Sequence, residues 1–530
     1  MTKVGQISYF KLLRTLLFAI FLINGLIYIP SQSITGDEGD HYNYAVRFAK
    51  GHPEKVRPFD DASTMPLTVV STIPRIVEQL IHPDFKKTDN GRSDVINGRY
   101  LTLFFCLFIG LIVYRWSKAL YGEKGGLISL FFFAFCPNIS AHASLVSTDA
   151  YSALFTVLPA YYFWKYFRSA TVSDFFWFAF WLSVAQLAKQ SLTWLYPIFL
   201  LLALIAIGSG ARPVKDLRRF ALLTLVFLIT TIAVLNIGFQ FNQTGRPLHS
   251  YAFKSSFFSS LSSRSGFLGE IPLPLPTPYL QGLDYTKNMD EIGGGHEESS
   301  EKIYLLGESR AGRGFPYYYL VTGFFKTPIP LLIAILVAVV LLFRNGSGAF
   351  FSRELFVVFP VLCFLVYFNL FYRSQVGLRH ILMIFPLLFV LAGNLVNIPM
   401  RKSWFVALLL GLATWSIADF YYFFPHLIPY TNEFVPRKKM AYRIMADSNL
   451  DYEQALEYRD RYLAEHPEMK YAPPTPAAGR FLIRVSDLLD LKNEGKYQWL
   501  RTNFEPDDHL VFTYLIFDIS EEDLRQHHLR

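Results

Sequence analysis

Five short strings hold the residues best suited to chemistry. TGDEGDHY (35–42) places Asp37, Glu38 and Asp40 just after the first apolar block. A carboxylate there can accept a proton from a hydroxyl, and the Glu38–Asp40 spacing leaves room for a divalent cation. A solvated acidic turn is the plainer alternative. SAHASLVSTDAYSA (140–153) adds His142 and Asp149. An acid beside a membrane segment is a functional candidate because its unpaired burial is costly. Ser147, Thr148 or Asp149 could equally cap the next helix. LAKQSLTW (187–194) brings Lys189, which suits a lipid phosphate or snorkels to headgroups. FYRSQVGLRHILMIFP (371–386) clusters Arg373, Arg379 and His380. The planar fork of Arg fits phosphate, with headgroup contact as the alternative. KIYLLGESRAGRGFPYYYLVTGFFKTPIP (302–330) combines Arg310, Arg313, three tyrosines and Lys326. Its aromatic faces could line a sugar site or form an interfacial belt, and Lys326 could reach a phosphate.

The elements that must position these residues lie in a membrane. The chain of 530 residues is 52% hydrophobic and 17% charged, with 51 Phe. Soluble proteins carry about 25% charged residues. The composition excludes a disordered chain, a coiled coil and a disulfide scaffold, and argues against a purely soluble enzyme. The net charge of +8 does not point to nucleic acid, because Lys and Arg sit in short clusters between apolar blocks. Cys106, Cys136 and Cys363 fall inside apolar blocks and read as packing.

Eleven apolar blocks read as candidate spans: 12–30, 100–114, 126–141, 150–167, 175–188, 191–209, 220–240, 327–343, 355–372, 379–397 and 403–424. The first could be a signal peptide, but no A-x-A-like cleavage site follows it. An N-terminus inside puts Arg115, Lys118, Lys124, Arg212, Lys215, Arg218, Arg219, Arg401 and Lys402 in internal loops. Few acids share those loops, so the positive-inside rule favours this orientation in a plasma (inner) membrane, with the C-terminus external or periplasmic. The expected architecture is a transmembrane unit, 1–424, with long external loops 31–98 and 241–326, and a small α/β external domain, 425–530. In that domain a helix is expected near 452–465 and a strand over Leu510–Ile519. The Pro-rich run 271–280 reads as a stiff, extended covering loop. Nucleotide-binding P-loop, zincin, zinc-finger and nucleophile-elbow signatures are absent from the sequence.

The strings, in order, resemble those of the membrane-embedded glycosyltransferases of the dolichyl-phosphate-mannose–protein mannosyltransferase type, whose bacterial relatives include lipid A aminoarabinose transferases. Asp37-Glu38 resembles the family's acidic pair, and HASLVSTDA (142–150) its H-x-x-L-x-x-T-D pattern. LAKQS (187–191) is similar to its T-K-x-S-type turn. YLLGESRAGRGFPYYYLVTGFFKTPIP (304–330) resembles its loop with L-G, G-W-x-Y-Y and K-T-P, and VGLRHILMIFP (376–386) its G-x-R-H/Y-x-L-P segment. DSNLDYEQAL (447–456) resembles its S-N-x-D-W-G-Q-D-L string. Tyr452-Glu453 departs from the usual Trp-Gly, and Phe315 from a common Trp. These departures bear on acceptor identity.

The resemblance implies a mainly α, polytopic fold of GT-C type and an inverting transfer from a polyprenyl-phosphate sugar to a hydroxyl of a protein, lipid or cell-envelope glycan. By that analogy Asp37 is the general base. Glu38 supports it or binds the acceptor, and Asp149 is a second acid. Lys189, Lys326, Arg373, Arg379 and His380 are expected at the donor phosphate, and His142, Tyr317 and Tyr318 at the substrate. No cofactor is required, and a divalent cation stays open. Two other classes compete. An oligosaccharide ligase or polymerase would share the acidic loop but use a diphosphate-linked glycan. A transporter would place coupling charges near the bilayer midplane and show related halves, whereas the candidates cluster at one face.

Overall fold

The computed structural model describes residues 3–82, 91–210, 217–293, 302–344, 347–492 and 495–529. Arg212 and Lys215 of the internal loops lie outside the described residues. The chain is mainly helical, and every apolar block falls on helix. It is a multi-pass membrane protein. Among the described residues, six helices are long and apolar enough to cross a bilayer: Tyr9–Ser31, Arg92–Ala134, Gln190–Gly208, Arg218–Gly238, Leu378–Asn397 and Lys402–Phe423. A seventh arises if Tyr318–Lys326 and Ile329–Leu342, bent by 115°, form one broken span.

The difference from eleven has physical causes. Blocks 100–114 and 126–141 remain the two separate helices that the sequence suggests, although they run within one long element, Arg92–Ala134, broken at Gly122 with φ +79°. The two helices fold back on each other, since Ser129 Oγ donates to Ser117 Oγ at 2.8 Å. A straight helix would hold residues twelve apart about 18 Å from each other. Blocks 175–188 and 355–372 give helices Val172–Ala185 and Leu355–Leu370, of 14 and 16 residues, short of the roughly 20 that a crossing needs. Block 150–167 lies on helix Asp149–Ser169, whose first twelve residues are all buried by neighbouring protein.

Two small sheets stand apart from the helices. In the first, β1 (Lys302–Leu305) and β2 (Glu308–Ala311) form an antiparallel hairpin. Leu306 and Gly307 both take positive φ at its tip, as a tight hairpin turn requires. The second holds β3 (Met469–Tyr471), β4 (Gly479–Arg484), β5 (Asp508–Leu510) and β6 (Tyr514–Ile519) in the order β3-β4-β6-β5. The expected single strand over 510–519 is thus two strands around a turn, with positive φ at Val511 and Phe512. The expected helix is found at Leu456–Glu465. The first hairpin belongs with this tail: Lys302 N donates to the Leu491 carbonyl, Leu306 N to that of Ile444, and Tyr304 joins the tail's apolar core. The Pro-rich run is extended only as far as Pro276, where helix Thr277–Ile292 begins with Pro278 in its first turn.

Candidate active site

Between the membrane helices and the tail lies a cavity of about 950 Å³. Its wall unites Asp37, Asp149, Lys189, Arg379 and His380, which the sequence distributes over more than 340 positions. Asp37 ends the link after the first span and immediately precedes helix Glu38–Ala49. Asp149 begins helix Asp149–Ser169, and Lys189 precedes the short helical turn Gln190–Trp194. Arg379 and His380 lie in the 3-10 turn Leu378–Ile384 that leads into the next membrane helix.

The charges interlock. Arg379 Nη1 donates to Asp37 Oδ2 at 2.5 Å and stands 3.8 Å from Asp149 Oδ2. Lys189 Nζ donates to Asp149 Oδ1 at 2.5 Å. The side chain of Asp149 therefore serves an ion pair, and Thr148, the residue capping its helix, makes no side-chain capping bond. His380 Nδ1 is 3.2 Å from the hydroxyl of Tyr319. Two buried atoms, Arg379 Nε and Asp149 Oδ2, have no hydrogen-bond partner among the described residues. Burial acts to raise the Asp37 carboxyl. The Arg379 guanidinium, then His41 and hydrogen bonds with Arg379 and Tyr452, outweigh it and hold Asp37 below the usual carboxylate range.

Other candidates stand elsewhere. Glu38 points away from the cavity into a dry pocket, where Arg99 grips it with Nε to Oε1 at 2.8 Å and Nη2 to Oε2 at 2.6 Å. Both side chains are 0% exposed. Thr35 N and Val146 N also donate to Glu38, and Arg99 donates to the carbonyls of Ile29, Gln32 and Ser33. Burial raises the Glu38 carboxyl, but this ring of donors, led by Arg99, keeps it below its ordinary value. Glu38 is thus a fixed support for the acidic turn, without access to an acceptor or to a cation shared with Asp40. Among the described residues no group of three or more His, Cys, Asp or Glu side chains is arranged to hold a metal ion.

Lys326 is also diverted. Its Nζ donates to the carbonyls of Ile428, Tyr430 and Asn449 at 2.8, 3.2 and 2.6 Å. With all three protons committed, it pins the tail and has none left for phosphate. Arg373 is exposed outside the cavity, where its backbone N–H donates to Asp290. His142 is buried behind Asp149, 3.9 Å from Oδ2, and burial pushes its imidazole down to about 4 against the pull of Asp149. Tyr318 is buried with its hydroxyl accepting from Asn449 Nδ2 at 2.9 Å, and Tyr317 is exposed away from the cavity. Phe315 is buried beneath Arg310, also outside it.

Several wall residues escaped the sequence reading. His41 lies one turn after Asp37, its N–H donating to the Asp37 carbonyl at 3.1 Å. Helical spacing from the acid would have put it on the same face. Burial lowers its imidazole against the opposing pull of Asp37 and Asp149. Tyr452 reaches the wall from the tail, its hydroxyl accepting from Arg379 Nη1 at 2.7 Å. One side of the cavity is aromatic, with Trp194, Tyr367, Phe368, Phe371 and Tyr372. Tyr367 and Phe371, and Phe368 and Tyr372, are four residues apart at the end of one helix and share a face, whereas nothing local joins Trp194 to them.

The sequence surrounding three of these side chains has recognisable relatives. Residues 96–237 match the dolichyl-phosphate-mannose-protein mannosyltransferase family. That stretch carries Arg99, Asp149 and Lys189, so the resemblance read from the motifs is met across the helices that hold half of the ion-pair network. No curated protein sequence matches the chain closely enough to count as a relative. Among solved structures, ArnT from Cupriavidus metallidurans bound to undecaprenyl phosphate is 15% identical, with a TM-score of 0.48, covering 80% of this chain and 72% of that one. ArnT from the same organism in the apo state is 13% identical, with a TM-score of 0.48, covering 95% and 97%.

Proposed function

We propose that the protein is an inverting glycosyltransferase that moves a sugar from a polyprenyl-phosphate donor to an acceptor hydroxyl at the outer face of the membrane. The observation that carries this reading is one cavity wall on which the Asp37 carboxylate stands beside the cations Arg379 and Lys189. Asp37 takes the acceptor's hydroxyl proton as the acceptor oxygen attacks the anomeric carbon. The bond from that carbon to the phosphate oxygen breaks, and its electron pair leaves with polyprenyl phosphate. One displacement inverts the anomeric centre. Arg379 and Lys189 meet the charge that grows on the leaving oxygen.

The wall offers a donor for this anion. The buried Arg379 Nε without a partner costs about 1–3 kcal/mol, and a phosphate oxygen would satisfy it. Asp149 holds Lys189 in place without the donor. The aromatic side, where Trp194 stacks 4.4 Å from Tyr367 and Phe371 is exposed, offers the polyprenyl chain a route towards lipid.

The test is purified protein in lipid, given a panel of polyprenyl-phosphate sugars with cell-envelope acceptors and compared with Asp37→Asn by mass spectrometry. Release of polyprenyl phosphate by the parent protein alone supports the donor class and the base. Failure of every monophosphate donor, with turnover of a diphosphate-linked glycan, would replace the reading by a ligase.

A further inference from the structure

The tail closes the cavity with one tight turn, residues 451–454. Ser33 N donates to the Gln454 carbonyl at 2.9 Å, and Gly36 N to the Tyr452 carbonyl at 3.3 Å. Tyr452 N donates to Gln454 Oε1 at 2.6 Å, and the Gln454 amide donates to Thr513 Oγ1. The turn is thus tied both to the strand leading to Asp37 and to the tail's own sheet. Glu453 within it holds φ at +67°. A non-glycine residue there costs of order 1–3 kcal/mol, and such strain persists where the surroundings over-determine it, often at functional sites.

This turn delivers the Tyr452 hydroxyl to the nitrogen that serves the base. Arg379 Nη1 donates both to Asp37 Oδ2, at 2.5 Å, and to the Tyr452 hydroxyl, at 2.7 Å. The Tyr452 ring lies against the same guanidinium, 4.6 Å from Cζ to the ring centre. The hydroxyl also interacts with the Asp37 carboxylate. Tyr452 is 6% exposed, so these contacts form in a largely dry setting. A Trp in its place, as in the motif the tail resembles, has an indole N–H that only donates and could not accept from Arg379.

We propose that Tyr452 is a positioning residue for the transfer: its hydroxyl and ring lock the Arg379 fork and the Asp37 carboxylate into one orientation, so that the tail sets the base without supplying it. The proposal rests on Asp37 acting as that base. Packing alone would ask only for the ring. The hydroxyl, with an Arg on one side and an Asp on the other, is the part that packing leaves unexplained.

The test uses the full-length protein in lipid with Tyr452→Phe and Tyr452→Trp, both of which keep an aromatic ring. The first readout is the pH titration of the Asp37 carboxyl stretch by infrared difference against Asp37→Asn, which needs no substrate. Asp37 is faced by Arg379, His41, Tyr452, Asp40 and His380, and only Tyr452 changes. Both variants should titrate Asp37 at higher pH, by about 0.5 or more. They should also lower kcat about tenfold, at near-constant donor KM and thermal midpoint. An unmoved titration, or restoration of parental behaviour by Trp, overturns the proposal. Continued turnover by Asp37→Asn would instead remove the base reading. An inactive Asp37→Asn beside an unaffected Tyr452→Phe would remove Tyr452 alone.

Discussion

Arg379 Nη1 and Asp37 Oδ2 are 2.5 Å apart across 342 positions of sequence. The contact joins the link after the first span with a turn entering a late membrane helix. It makes the proposed base and the proposed anion holder one electrostatic unit. A phosphate reaching Arg379 competes with Asp37 for the same guanidinium, so donor binding and readiness of the base are coupled.

That unit fixes the acid limb of the pH profile. Burial raises Asp37, but Arg379 and the contacts beside it leave the carboxyl below its ordinary value of about 3.9. A lowered carboxylate contributes stability above its unfolded value, which is lost as pH falls through the folded value. The acid limb of kcat/KM should therefore lie below about pH 4. A limb near pH 6 would assign the titration to another group.

The fork of Arg379 should matter beyond its charge. Arg379→Lys keeps a cation that could reach Asp37 and Tyr452 but loses the Nε–H left over for a phosphate oxygen and the flat face against the Tyr452 ring. Steady-state kinetics should show kcat lower by about 100-fold. Retained kcat would reduce Arg379 to a general electrostatic contribution.

Glu38 and Arg99 carry stability. Both are fully buried and doubly bonded. Glu38→Ala leaves the Arg99 charge unpaired in the interior, a loss of about 3–5 kcal/mol. The thermal midpoint in detergent should fall sharply, and it should recover in part when Arg99→Met removes the stranded charge. Equal midpoints for parent and Glu38→Ala would place Glu38 in the reaction.

Lys326 should behave as a pin. Lys326→Met strands three carbonyls at the junction with the tail, each costing about 1 kcal/mol or more. Limited proteolysis should cut within 425–460 faster in the variant than in the parent protein. An intact tail with a raised donor KM would restore the phosphate role.

Much of the wall was legible because types and order sufficed. Asp37, Asp149, Lys189, Arg379 and His380 are polar residues stranded beside apolar blocks, a pattern that burial cost makes conspicuous. The same criterion selected Glu38 and Lys326, which are stranded too but satisfied elsewhere. Sequence shows that a charge needs a partner, not which partner it finds: Glu38 pairs with Arg99, 61 residues away, and Lys326 with carbonyls 102 to 123 residues on. Tyr452 was read as a departure at the acceptor side, since its bond to Arg379 spans 73 residues of tertiary packing. The fold was legible as helices because apolar blocks dominate, and the fold-back at Gly122 because the basic stretch from Arg115 to Lys124 separates two of them.

The turn at 451–454 has a consequence for the order of biosynthesis. A chain emerging N-terminus first places Asp37 early and Arg379 much later, and the Tyr452 contacts and the bonds from Ser33 and Gly36 form only after residues 452–454 have left the ribosome. A half-translated chain already inserted in the membrane would hold the carboxylate without the residues that orient it. The ion-pair network of the cavity wall is thereby complete only once the tail has folded back.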